Sequence, residues 1–171
     1  MSSTPVQASI ASRLWRPLLL VSVGVLLLDQ ATKLLVRLVF AEDLPVEVTG
    51  FFNLVLAYNR GVSFSLFTND SAAGPYIFVA LSLAIAGGLV WWAIRQKRIL
   101  LAVLAGAIAG GALGNIIDRI YLGAVVDFLD FHAFGWHWPA FNVADSAIVC
   151  SVLVLLADGL FGAPAGGKQA P

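Results

Sequence analysis

Cysteine and charge are both scarce in this chain. One cysteine, Cys150, among 171 residues rules out an intrachain disulfide. Because it lies in an apolar run, it is expected as a small buried thiol rather than a nucleophile. Charged residues make up 12%, against about 25% in ordinary soluble domains. Ten basic and ten acidic residues cancel, and no basic tract appears, which speaks against nucleic acid as a partner. The two histidines, His132 and His137, are five apart with no third ligand nearby, and no HExxH occurs, so no metal is expected. GxSxG is missing as well, and no serine stands beside a convincing base, which sets serine chemistry aside. Tandem repeats and low-complexity tracts are absent.

Apolar sequence is what the chain has in quantity. Hydrophobic residues are 60% of it, and mean hydropathy is +0.90. Four stretches, roughly 17–40, 75–94, 99–118 and 143–161, are long enough to cross a bilayer core, which takes about 20 helical residues. The fold class expected is an all-α membrane protein of four transmembrane helices. Residues 1–171 then form a single integral membrane domain, with outer loops at 41–74 and 119–141 and a disordered tail, "GAPAGGKQAP", at 162–171. The first stretch could be mistaken for a signal peptide, with Arg13 and Arg16 before it and "VFA" at 39–41 after it. Asp29, Lys33 and Arg37 interrupt it, however, and it exceeds the usual apolar region of about 7–15 residues. It reads as a retained span.

Basic residues set the orientation. Arg13, Arg16, Arg95, Lys97, Arg98 and Lys168 fall on one side, whereas Arg60 and Arg119 fall on the other, with Arg37 near that boundary. Both termini are therefore expected in the cytoplasm and both long loops outside. Loop 41–74 contains "VEVTGFFNLVLAYN", rich in β-formers, which predicts short strands and a small extracytoplasmic platform. Gly61 in "NRGVSF" marks a turn or close approach. Loop 119–141 contains "VVDFLDFHAFGWHWPAF", whose aromatics suit the membrane interface. Two hairpins lying on lipid and a platform holding an extended chain both fit this composition.

Polar residues inside the spans are more informative. A central Asp or Lys costs roughly 2.5–3.5 kcal/mol to insert, whereas Leu returns only about 0.3–0.6 kcal/mol. Such residues usually face the bundle interior and mark function. In "DQATK", Asp29 and Lys33 are four apart on one helical face and can pair. Gly106, Gly110 and Gly114 recur every four residues in the third stretch, so another helix can approach that face closely. At its outer end Asn115, Asp118 and Arg119 can form a hydrogen-bonded cluster, in which Asn115 and Arg119 are expected to brace Asp118.

Asp127 and Asp145 remain. In "FNVADS", Asn142 can cap a helix with Asp145 three residues on, a box-like start. Asp127 could be an ordinary interfacial carboxylate. Together, though, they place two carboxylates at one outer level, and two Asp residues sharing a proton can activate water as general base and general acid. Spacing alone does not prove that they meet.

In order and spacing, "DQATK", "NRGVSF", "GGALGNIIDR", "VVDF" and "FNVADS" resemble the lipoprotein signal peptidases, the bacterial type II signal peptidases, over about residues 17–161. Val62 and Ser63 depart slightly, since the family more often has two alanines there. The resemblance implies an intramembrane aspartyl endopeptidase of the inner membrane, with its active site near the outer face. It would remove the signal peptide from prolipoproteins, cutting just before a diacylglyceryl-modified cysteine. Asp127 and Asp145 would be catalytic. Asp29, Asn59, Gly61, Asn115, Asp118, Arg119 and Asn142 would shape or support the site, with Lys33 beside Asp29. Diacylglyceryl-prolipoproteins, membrane lipid and globomycin-type inhibitors are the implied partners, no cofactor is implied, and a monomer is expected. A proton-coupled carrier using Asp29, Lys33, Asp118 and Asp145 is the rival, though no repeat or paired broken helix supports it. A non-enzymatic assembly factor is the third reading.

Overall fold

A computed structural model describes residues 5–40, 45–61 and 74–161. The tail 162–171 and the Val62–Ser63 departure lie outside the described residues. Four helices form, α1 (Pro5–Val39), α2 (Gly74–Arg95), α3 (Ile99–Leu122) and α4 (Val143–Phe161). Each contains a segment long and apolar enough to cross a membrane: Arg13–Val39, Tyr76–Arg95, Ile99–Leu122 and Val143–Phe161. Their outward faces carry exposed leucines such as Leu20, Leu27, Leu38 and Leu153, as expected where the surrounding solvent is lipid rather than water.

Helix α3 is central, and the glycine repeat explains why. A methyl group on Gly106 would strike the backbone carbonyl of Leu18, and one on Gly110 that of Ser22, both on α1. At Gly114 it would meet the Asp29 carboxylate. Gly111 faces the other way, where an added Cβ would lie 2.7 Å from the Ala144 carbonyl of α4. Small residues on two faces of one helix thus bring both neighbours to backbone contact, which sustains dispersion where no water-driven force exists between helices.

Helix α3 runs four residues past the expected end of its span, to Leu122. It stops at Gly123, whose left-handed conformation (φ 71°) lets its N–H bond the Arg119 carbonyl at 3.1 Å, a glycine-dependent stop. Strand β3 (Val125–Ala133) begins two residues later.

The two outer segments do not make separate hairpins. Strands β1 (Val46–Thr49), β2 (Phe52–Asn59), β3 and β4 (Trp136–His137) form one antiparallel sheet in chain order. Its central joint, β2 to β3, pairs Phe52 with Phe131, Leu54 with Leu129 and Asn59 with Val125. Between Leu54 and Ala57, β2 carries one residue more than β3 does from Leu129 to Asp127. Such a bulge re-aims side chains next to it. Here it delivers Asn59 to Asp127. Phe52, Phe131 and Phe141 stack on the sheet, with ring centroids 4.9 and 5.8 Å apart. His132 and His137 stack at 4.8 Å.

The expectation for Cys150 fails. Cys150 is exposed on α4 rather than buried, because α4 meets Gly111 of α3 through Ala144 and Ile148, and Cys150 lies off that face.

Candidate active site

The sheet and the adjoining ends of all four helices meet at one end of the bundle, where the polar residues of the spans collect. At the start of α4, Asn142 is fully buried. Its Oδ1 accepts the Asp145 N–H at 2.9 Å, and Asp145 Oδ2 accepts the Asn142 N–H at 3.3 Å. The box expected from sequence is therefore present. It does not exhaust what these residues do.

Asn142 Nδ2 also donates to Asp127 Oδ1, at 2.7 Å. One asparagine therefore touches both carboxylates. The other oxygen of each also has a donor: Asn59 Nδ2 reaches Asp127 Oδ2 at 3.0 Å, and Asn115 Nδ2 reaches Asp145 Oδ1 at 2.8 Å. Each carboxyl group is pinned at both oxygens by amides that can only donate at those atoms. Asp127 is 2% exposed, whereas Asp145 is half-buried and Asn59 exposed, so the pair is open on one side. Burial is the main cause that pushes the Asp127 carboxyl up to about 6, and the nearby Asp145 charge adds to it. The Asn59 and Asn142 hydrogen bonds and the Lys33 charge oppose the rise without cancelling it.

Beneath the pair lies a buried ionic cluster. Lys33 Nζ is 2.7 Å from Asp29 Oδ2, 2.9 Å from Asp118 Oδ2 and 3.0 Å from Asn115 Oδ1. The pairing of Asp29 with Lys33 holds as expected. Asp118 differs from expectation, because neither Arg119 nor Asn115 braces it. Lys33 and Gln30 from α1 do so, the latter at 3.2 Å, together with the Val126 N–H at 3.0 Å. The reason is helix geometry: the close glycine contact turns this face of α3 onto α1, and a charge on α1 then outcompetes a sequence neighbour. The backbone also contributes, since the Ala144 N–H at the start of α4 donates to Asp29 Oδ1 at 2.9 Å. A carboxylate at a helix N-terminus is favoured there.

Gly61 and Arg119 hold the rim. The Gly61 N–H donates to Asn59 Oδ1 at 2.8 Å, which leaves the Asn59 amide nitrogen free for Asp127. Its φ of 85° suits glycine, and an added Cβ would press on the Phe78 ring. Arg119 donates to the Asn115 carbonyl at 3.3 Å, and its guanidinium lies 5.4 Å from the centre of that ring. It is close enough to feel the charges of Asp145, Asp127 and Asp118.

Sequence reasoning gave no role to Gln30, which donates to Asp29, to the Gly114 carbonyl and to Asp118. A second polar side chain beside Asp29 in a span was the available signal. The contributions of the Ala144 and Val126 backbone had none.

Four helices apolar enough to cross a membrane, with two carboxylates held around one asparagine at one end of the bundle, define a membrane protein with a polar site at that end. Comparison with known proteins narrows this. The family model for signal peptidase (SPase) II matches residues 21–161. A lipoprotein signal peptidase of Paraburkholderia phytofirmans is 44% identical over 162 residues, covering 94% of each chain. Another, from Methylobacterium radiotolerans, is 46% identical over 164 residues, covering 90% of this chain and 95% of the relative. A solved bacterial membrane enzyme aligns over 90% of this chain and 93% of its own with a TM-score of 0.75 at 27% identity. The chain belongs to the signal peptidase II family. It is a multi-pass membrane peptidase.

Proposed function

We propose that this protein is an intramembrane aspartyl endopeptidase that removes the signal peptide from diacylglyceryl-modified prolipoproteins, cutting immediately before the lipidated cysteine, with Asp127 and Asp145 activating the water. The observation that carries the reading is the shared Asn142, which holds both carboxyl groups while Asn59 and Asn115 fix their outer oxygens. Two carboxyl groups so close favour one shared proton over two charges. Asp127, the more buried of the two and the one with the raised pKa, keeps that proton. Asp145, half-buried and open to the rim, is the general base.

The chemistry follows from that assignment. Asp145 takes a proton from water as its oxygen attacks the scissile carbonyl carbon, and Asp127 gives its proton to the carbonyl oxygen. The tetrahedral intermediate collapses with cleavage of the C–N bond. The cysteine nitrogen leaves with the proton held on Asp145, and the hydroxyl proton returns to Asp127. Arg119, Asn59 and Gly61 shape the rim, while Asp29, Lys33, Asn115, Asp118 and Asn142 hold the pair from below. The whole chain acts as one domain and as a monomer. A globomycin-type inhibitor competes with the substrate. Incubating purified protein with one diacylglyceryl-modified prolipoprotein, with and without globomycin, tests the reading. Absence of inhibitable cleavage defeats it.

Among the described residues the site is lined by amides and carboxylates, which supports a role for the lipid group in placing the bond. Unmodified prolipoprotein is expected to be cut at least about tenfold more slowly, since remote binding energy positions the reacting bond. Equal rates for the two substrates in one assay would remove the lipid from recognition.

The basic asymmetry supports a site at the outer face of the inner membrane with both termini in the cytoplasm. A cysteine introduced at Gln96, between α2 and α3, is expected to react only with reagent from the cytoplasm, and one at Gly135, between β3 and β4, only from outside. Cys150 should be replaced by Ser in both variants, because it is exposed. Labelling of Gln96→Cys from outside would invert the topology.

A further inference from the structure

Asn115 stands between two groups of different purpose. Its Nδ2 donates to Asp145, while its Oδ1 accepts from Lys33 at 3.0 Å and from Asn142 Nδ2 at 3.2 Å. An amide can sit in this place in two orientations. Turned over, Asn115 would aim its oxygen at the Asp145 carboxylate and its NH2 group at an ammonium and another NH2 group, none of which could pair. Both partners at Oδ1 can only donate, and of the two Lys33 alone is charged. The Asn142 amide is engaged already by Asp127 and by the Val126 carbonyl.

We infer that Lys33 is a positioning residue for catalysis: its ammonium fixes the Asn115 amide, which in turn holds the Asp145 carboxyl group aimed as the base. This rests on the proposed pair of aspartates and deepens it. Lys33 makes no hydrogen bond to either catalytic carboxyl group, so it does not act on substrate directly. Three partners use all three of its donors, which locks the ammonium in place. Its 2% exposure strengthens the bond to Asn115, because a low local dielectric magnifies a charged hydrogen bond. Arg119 from α3 and Asp127 from β3 are the charged groups near Asp145, and Lys33 from α1, with Asp29 and Asp118 on it, lies behind Asn115. Lys33 is the cation among them that bonds Asn115 through its side-chain oxygen; Arg119 bonds only the Asn115 backbone carbonyl.

Lys33→Met alone would leave Asp29 and Asp118 facing one another unpaired, and such a loss usually destabilises the fold. The double variant Lys33→Met/Asp118→Asn removes one charge of each sign and keeps the net charge of the cluster. Lys33→Met/Asp29→Asn does the same from the other side. Each should be purified from membranes, checked for folding by thermal unfolding, and assayed for kcat and KM on a diacylglyceryl-modified prolipoprotein against the matching Asp→Asn single variant. The expected result is a fall in kcat of about ten- to a hundredfold, the size seen when the partner that orients a metal ligand is lost, with KM changed less than about twofold. Adding Asn115→Ala to either double variant should cost little further, because Lys33 would act through that amide, while Asn115→Ala with Asp118→Asn should already show the full loss. Losses that multiply, undiminished kcat in the doubles, or failure of both doubles to fold would each overturn the inference. Absence of cleavage by the parent protein would instead sink the proposed function itself.

Discussion

Asp127→Asn and Asp145→Asn should each slow cleavage at least about a hundredfold, because general acid–base catalysis contributes roughly 10²–10⁴-fold and an amide can serve as neither base nor acid near neutrality. The structure also says what each change costs the fold. An asparagine has one oxygen where the aspartate had two. At position 145 its NH2 group must face either Asn115 Nδ2 or the Asn142 N–H, so one of two bonds is lost. At position 127 the conflict falls on Asn59 or Asn142, and the exposed Asn59 can turn aside. One lost hydrogen bond is worth about 1 kcal/mol, too little to unfold the protein. Both variants are therefore expected to insert normally and to bind globomycin measurably while failing to cut. The double variant should be scarcely worse than either single one, since residues acting as a unit are not additive. Steady-state cleavage of one lipid-modified substrate, with thermal unfolding of the same samples, measures both quantities. Near-normal cleavage by Asp145→Asn would return that residue to helix capping. Near-normal cleavage by Asp127→Asn would dissolve the pair.

The second large effect belongs to the glycines of α3. Leucine at Gly110 is expected to abolish folded protein. Its Cβ alone would overlap the Ser22 carbonyl of α1, and a backbone cannot yield as a side chain tip can. Overpacking costs about 1–3 kcal/mol where neighbours can adjust; here two helix axes must separate. At Gly114 the obstacle is the Asp29 carboxylate, itself held by Lys33 and the Ala144 N–H. Leucine there is expected to remove both folded protein and activity. Alanine at Gly114 should leave more folded protein yet still disturb the site by moving Asp29. Gly24→Ala provides the contrast, since an added Cβ there meets nothing within 4 Å, and it should gain up to about 1 kcal/mol from helix propensity. Recovery of monodisperse protein from detergent and its unfolding temperature distinguish these outcomes. If Gly110→Leu is as stable as the parent, the glycines do not set the helix spacing.

Much of this molecule was legible in one dimension because its signals are local. Spans follow from runs of apolar residues, which any bilayer selects without reference to the rest of the chain. The start of α4 follows from Asn142 and Asp145, whose spacing already satisfies one turn of helix. The pairing of Asp29 with Lys33 is one turn of α1, and the glycine repeat shows that a helix would pack there. The membership of the site was legible too, but through ordered motifs shared with a family rather than through any contact that spacing could prove.

Tertiary structure alone decided who touches whom. Asn59 and Asp127 lie 68 residues apart, and only the pairing of β2 with β3, shifted by the bulge, brings the amide to the carboxylate. Asp118 has Arg119 next to it in sequence yet bonds Lys33, Gln30 and a strand N–H, because the crossing of α1 and α3 chooses the partner. Cys150 sits in an apolar run but faces outward, since hydropathy in a span is high all round and does not say which side meets protein. The physical reason is common to all three. Sequence periodicity encodes the conformation of a segment and the faces it could bury. A hydrogen bond between segments depends on their relative rotation and approach to within a few tenths of an ångström, which only the packed whole determines.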